Sequence, residues 1–80
     1  MTSNIVHQYF KKAHEELIIL VQVNPIHLKG TELTVAPRGS VSRRELEFDA
    51  AIFEDLRMDG FTETSPLEFH LYLSGLAGEV

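Results

Sequence analysis

The chain has 80 residues, no cysteine and a formal net charge of −5. This length predicts one domain spanning residues 1–80, and the lack of thiols excludes disulfides and thiolate metal sites. The acidic balance argues against general nucleic-acid binding, and no apolar run approaches the roughly 20 residues of a membrane span. Residues 1–16 also lack the apolar core of a signal peptide, which predicts a cytoplasmic protein.

An apolar stripe at helical spacing opens the chain and predicts an N-terminal helix. Residues 17–23, LIILVQV, are rich in β-branched side chains, which favours a strand buried on both faces. No glycine or proline separates the two segments, so the alternative is one long helix that continues to Asn24. Pro25 ends either structure, and we favour a helix followed by a strand.

Two segments of alternating polarity, joined by the Pro-Arg-Gly-Ser turn at residues 37–40, predict a β-hairpin. Its return strand ends in Leu46 and Phe48, which share one face. A register that places Leu33 opposite Leu46 would put Thr31 opposite Phe48. All four side chains would then lie on the same side of the sheet.

Residues 49–59 carry signals for both ends of a helix. Asp49 can accept the free N–H groups of the first turn. Gly60 can adopt the left-handed conformation that ends a helix, and Phe61 beyond it can contact Leu56, as in a Schellman motif.

Residues 66–74 fit two interpretations. Ser65 and Glu68 form a capping-box pattern with Pro66 at the first helical position, and a glycine follows where a helix would stop. Apolar and polar residues also alternate through this segment, which is typical of a strand. We favour the helix because its two terminus signals agree.

Together these patterns predict an α+β fold. It consists of an N-terminal helix, a short antiparallel sheet of about three strands, and one or two C-terminal helices packed on one face of the sheet.

Three arginines and a serine cluster near the predicted hairpin turn. Arginine forks suit phosphate or carboxylate groups, so Arg38, Ser40, Arg43 and Arg44 form a candidate anion-binding site. The alternative is a solvated turn whose arginines protect exposed strand edges.

The predicted helices and strands offer more apolar faces than a domain of this size easily covers. A surplus face is usually buried in a partner, most often a second copy of the same chain. The candidate interface residues are Ile5, Tyr9, Phe10, Phe69, Tyr72 and Leu76.

The sequence contains no catalytic motif of the nucleophile-elbow, phosphate-loop or zinc-peptidase type. Four histidines could be imagined as metal ligands, but their spacing does not define a site, so no metal or cofactor is predicted. We therefore expect a non-enzymatic protein-interaction domain that forms a homodimer or binds another protein, with anion or nucleic-acid binding at residues 38–44 as the alternative.

Overall fold

The computed structural model describes residues 6–74, which form one antiparallel sheet and two short helices. The elements in chain order are β1 (Gln8–His14), β2 (Leu17–Asn24), β3 (Lys29–Val35), β4 (Val41–Glu47), α1 (Ile52–Met58), β5 (Thr62–Glu63) and α2 (Pro66–Leu73). Across the sheet the strand order is β4-β3-β2-β1-β5. Neither helix within residues 6–74 is long and apolar enough to cross a membrane.

The two helices cover opposite faces of the sheet, each over its own apolar cluster. We call the α1 face the one whose buried residues are Phe10, Val21, Val23 and Leu56. The α2 face is the one whose buried residues are Leu20, Leu33, Val35 and Phe69. The expectation that the C-terminal helices share one face of the sheet is therefore wrong, and so is the expected count of about three strands.

The predicted N-terminal helix is also wrong, because residues 8–14 form β1. Neighbouring side chains of this strand enter different clusters: Tyr9 packs on the α2 face, whereas Phe10 is buried on the α1 face. A strand covered on both faces can carry apolar residues at adjacent positions, and their spacing then imitates a helical stripe. A two-residue turn, with Glu15 at a φ of 57°, leads from β1 directly into β2.

The strand predicted at residues 17–23 is confirmed as β2, and the alternative of one long helix is wrong. This strand lies at the centre of the sheet and is buried on both sides. Leu20 is fully buried on the α2 face, while Val21 and Val23 are buried on the α1 face.

The β3–β4 hairpin forms, but in a register three residues away from the predicted one. Leu33 lies opposite Arg43, and Leu46 lies opposite Gly30. Leu46 and Phe48 do share a face, yet it is the α1 face, whereas Leu33 is buried on the α2 face. A shift by an odd number of residues exchanges the faces, because side chains alternate along a strand.

The helix predicted at residues 49–59 is shorter at its start and ends as expected. Asp49 accepts the N–H of Ala51 at 2.9 Å, and the helix begins only at Ile52. At its end, the N–H of Phe61 donates to the carbonyl of Leu56 at 2.9 Å, and Gly60 has a φ of 93°. These features confirm the predicted Schellman stop.

The helical interpretation of residues 66–74 is confirmed by α2. Ser65 caps it, its hydroxyl accepting the N–H of Glu68 at 3.1 Å. The Glu68 carboxylate does not return to the cap. It binds the ammonium group of Lys11 at 2.7 Å and the hydroxyl of Thr64, which ties the start of α2 to β1.

Candidate functional site

β4 lies at one edge of the sheet and has a neighbour, β3, on one side only within the described residues. Backbone hydrogen bonds just beyond the strand fix its pairing. The N–H of Ala36 donates to the carbonyl of Ser40, and the N–H of Phe48 donates to that of Leu28. Hydrogen-bonded pairs alternate along an antiparallel ladder, so Ser42, Arg44 and Leu46 direct their backbone groups to β3.

The other four residues of β4 direct their backbone N–H and C=O groups away from the sheet. They are Val41, Arg43, Glu45 and Glu47. The strand is seven residues long, and four consecutive residues, 42–45, are exposed. This row of backbone groups, which we call the β4 edge, is available for pairing with another strand.

The side chains of these four residues lie on the α2 face, and two of them form an ion pair. The Arg43 Nε donates to Glu45 Oε2 at 2.9 Å, and the Thr31 hydroxyl donates to Glu45 Oε1 at 3.0 Å. These two hydrogen bonds, first that of Arg43, lower the pKa of the Glu45 carboxyl below its ordinary value. Glu45 therefore stays ionised at neutral pH.

Arg44 lies on the opposite, α1 face and has a different partner. Its Nη2 donates to Glu32 Oε1 at 2.9 Å across the β3–β4 pair. Both arginines, Glu32, Thr34 and Ser42 line a hollow of about 430 Å³ along the two strands.

The predicted anion site is therefore distributed rather than convergent. Arg43 and Arg44 alternate across the sheet, and each already binds a carboxylate. Arg38 and Ser40 lie in the turn between β3 and β4, where the Ser40 carbonyl accepts the N–H of Ala36. Sequence reasoning missed the roles of Glu32 and Glu45. The signal for Glu45 was its position two residues after Arg43, which places both on one face of a strand.

Most of the predicted interface residues lie inside the fold. Phe10 and Phe69 are buried in the two clusters, and Tyr9 and Tyr72 pack half-buried on the α2 face. The remaining two, Ile5 and Leu76, lie outside the described residues. The apolar residues that the helices turn toward the sheet are thus covered within one chain, whereas Met58, Leu67 and Leu71 are exposed.

A cleft of about 500 Å³ opens between the end of α1 and the β1–β5 edge. Its lining is Gln8, Phe10, Phe53, Arg57, Phe61, Thr62 and Glu63. The two charged side chains are exposed, and Arg57 is paired with Glu54 at 3.3 Å.

Two carboxyl groups have shifted pKa values, and both shifts favour ion pairing over proton transfer. Lys11, and then Thr64, lower the pKa of the Glu68 carboxyl, the same direction as at Glu45. A carboxyl that acts as a general acid near neutral pH needs the opposite shift. Within residues 6–74 no group of three or more potential metal ligands comes together, and the His70 ring packs against Tyr9 with a centroid distance of 5.9 Å.

Comparison of the chain with protein-family models, with characterised proteins and with solved structures gives no significant match.

Proposed function

We propose that this chain is a small non-enzymatic protein-interaction domain that self-associates by adding a strand to the β4 edge. The observation that supports this function is the edge itself, with four residues whose backbone groups face outward. An exposed strand of this length is the template that strand addition uses: main-chain hydrogen bonds supply affinity and alternate side chains supply specificity.

The side chains that hold the helices on the sheet are not free to form the contact surface, although Leu67 and Leu71 on the outer side of α2 are 69% and 41% exposed. Phe69 of α2 is fully buried, and Leu56 of α1 is 6% exposed. Contact through either side chain would require its cluster to open, whereas strand addition at β4 leaves both clusters intact.

The charges of β4 are of both signs, so they can match those of a second antiparallel copy. Arg43 and Arg44 are balanced by Glu45 and Glu47 within the same strand, so its formal charge is zero. Edge strands that avoid pairing usually carry charged side chains, prolines or bulges. β4 contains no proline, and its ladder with β3 is continuous from Val41 to Glu47.

The test is the molar mass in solution, measured by light scattering behind a sizing column at low and high salt. We expect a mass of about twice 9.1 kDa at high protein concentration. The dimer should persist at high salt because backbone hydrogen bonds, rather than long-range charge, hold the strands together. A monomer at both salt concentrations would contradict self-association.

Substitution of proline at position 43 tests whether the two copies pair through the β4 edge. The Arg43 N–H faces away from β3, so Arg43→Pro removes an outward donor and leaves the β3–β4 ladder intact, as edge strands allow. The matched control is Arg43→Thr, which loses the same side chain but keeps the N–H. We expect the proline variant to be monomeric and the threonine variant to dimerise. A folded proline variant that still dimerises would place the contact elsewhere.

Anion binding is a second candidate function, supported by the hollow that Ser42, Arg43 and Arg44 line together. A phosphate group there would compete with Glu32 and Glu45 for the arginines. The test is a phosphate titration of the protein and of the double variant Arg43→Ala, Arg44→Ala. Identical responses of the two proteins, with the same salt dependence, would exclude this candidate.

A further inference from the structure

The side-chain pattern of the β4 edge selects a partner and a register, an inference that rests on the self-association proposed above. When two identical antiparallel strands pair about a twofold axis, the residue at the axis defines their register. Three residues of β4 can lie at the axis with an overlap of at least five strand residues: Arg43, Arg44 or Glu45.

An axis at Arg44 uses the whole strand. Val41 then faces Glu47 of the second copy, and Arg43 faces Glu45 of the second copy. All four outward residues meet outward residues, so every free backbone group of the strand finds a partner. An axis at Arg43 or at Glu45 shortens the overlap to five residues of β4 and leaves outward groups of the strand unpaired.

Charge complementarity favours the same register. Arg43 and Glu45 are two residues apart on one face, so reversing the strand about Arg44 exchanges their positions. Arg43 of each copy would then lie beside Glu45 of its own chain and opposite Glu45 of the other chain. An axis at Arg43 or Glu45 instead places two copies of that charge directly opposite each other, which is unfavourable.

The axial residue itself is accommodated. Two Arg44 side chains would face each other on the α1 face, but each donates to its own Glu32 at 2.9 Å. Glu32 belongs to β3, so this ion pair directs the guanidinium group toward the interior of the sheet and away from the axis.

We propose that two copies pair their β4 strands antiparallel about a twofold axis at Arg44, forming a ten-stranded sheet. In this sheet Arg43 of each copy is opposite Glu45 of the other. The partner is therefore a second copy of this chain.

The test uses two single charge reversals, Arg43→Glu and Glu45→Arg. Each variant alone would place like charges opposite each other twice, so we expect the dimer to weaken by about tenfold or more. An equimolar mixture should form a heterodimer as stable as the original dimer, because one chain then carries two carboxylates where the other carries two guanidinium groups.

The unmodified protein and the double variant Arg43→Glu, Glu45→Arg are the controls, and both should dimerise. The original Arg43–Glu45 pair is exposed, with 60% and 62% of the side chains accessible, so its loss should change the folded monomer little. Glu45→Arg also removes the acceptor of the buried Thr31 hydroxyl, so the variants that carry it should unfold at a lower temperature than Arg43→Glu. Circular dichroism and thermal unfolding check this.

The outcomes separate the register from the function. If the unmodified protein is monomeric, self-association itself fails. If it dimerises and the single variants dimerise equally well, or if the mixture gives no heterodimer, the Arg44-centred register is wrong while self-association stands. Native mass spectrometry distinguishes the heterodimer from the two homodimers by mass.

Discussion

The two faces of the sheet are closed in different ways. On the α2 face a single ring, that of Phe69, is fully buried over Leu20 and Leu33. On the α1 face only Leu56 is buried from the helix, and the cover is shared among the half-buried side chains of Phe48, Ile52, Phe53 and Phe61. Half-buried Tyr72 and Leu73 complete the cover of α2, so the two faces differ mainly in that the α2 face holds one large, fully buried ring.

The two helices also differ in how their ends are fixed. α2 has a side-chain cap at Ser65 and an ion pair from Glu68 to Lys11. α1 has no side-chain hydrogen bond at its first residue and is defined instead by its stop at Gly60. Truncating Phe69 should therefore cost more than truncating any one of the half-buried rings on the α1 face, where only backbone positions are expected to be as sensitive.

The largest effect is expected from Phe69→Ala. It removes a fully buried ring and should lower the free energy of unfolding by about 3–5 kcal/mol. Phe53→Ala, on the more open α1 face, should cost only about 1–2 kcal/mol. Urea unfolding measures both, and Phe69→Leu provides a milder comparison if the alanine variant does not fold. Equal losses at the two positions would contradict the contrast between the faces.

Backbone geometry gives the α1 face its own sensitive point at Gly30. A Cβ there would lie 1.8 Å from the carbonyl oxygen of Gln22 and 2.8 Å from Phe48 Cε2. Gly30→Ala should therefore destabilise by about 3 kcal/mol.

The matched control for Gly30 is Gly60→Ala, where the nearest atom, Lys12 Cε, is 3.8 Å away and only the positive φ is unfavourable. We expect a loss of about 1–2 kcal/mol there. A smaller loss at Gly30 than at Gly60 in thermal unfolding would show that the strands separate easily at this point.

Substitutions at the N-terminal ends of the two helices should lower the free energy of unfolding by smaller amounts. Ser65→Ala removes the cap of α2 and should cost about 1 kcal/mol. Asp49→Ala removes a hydrogen bond to Ala51, ahead of α1, and should cost about 0.5 kcal/mol. Chemical unfolding of the two variants side by side measures the difference, and a reversed order would mean that α1 depends on Asp49 more than its geometry indicates.

The smallest effect concerns pH. Lys11 and Thr64 hold the pKa of Glu68 below its ordinary value of 4.5. Because the folded pKa is the lower one, the stabilisation is present above about pH 4.5 and is lost as the pH falls through the folded value. Unfolding curves between pH 6 and pH 3 should therefore show a smaller loss for Glu68→Gln than for the unmodified protein. Glu16→Gln, in the β1–β2 turn, is the control, and parallel curves for all three proteins would contradict this coupling.

Local signals in the sequence predicted the features that a few neighbouring residues determine. The stop at Gly60, the cap at Ser65 and the buried strand at residues 17–23 are all encoded by residue types at short spacing. The same holds for the helical character of α2, where the cap outweighed an alternating pattern.

Features that depend on both faces of the sheet at once could not be predicted in this way. Tyr9 and Phe10 imitate a helical stripe because each belongs to a different cluster. The hairpin register failed for a related reason, since Leu46 lies on the α1 face of the sheet and Leu33 is buried on the α2 face. The exposed position of β4 is likewise a property of strand order, and strand order depends on contacts between distant parts of the chain.

The order of strands also has a consequence for folding. β1 to β4 are joined in sequence by short turns, so each pairing brings together residues that are close along the chain. β5 pairs with β1 through Lys11 and Thr62, which lie far apart in the sequence. Closing such a long loop carries a larger entropic cost, and contacts of high sequence separation form slowly. We therefore expect the meander to assemble first, with docking of the C-terminal third as the late, rate-determining event.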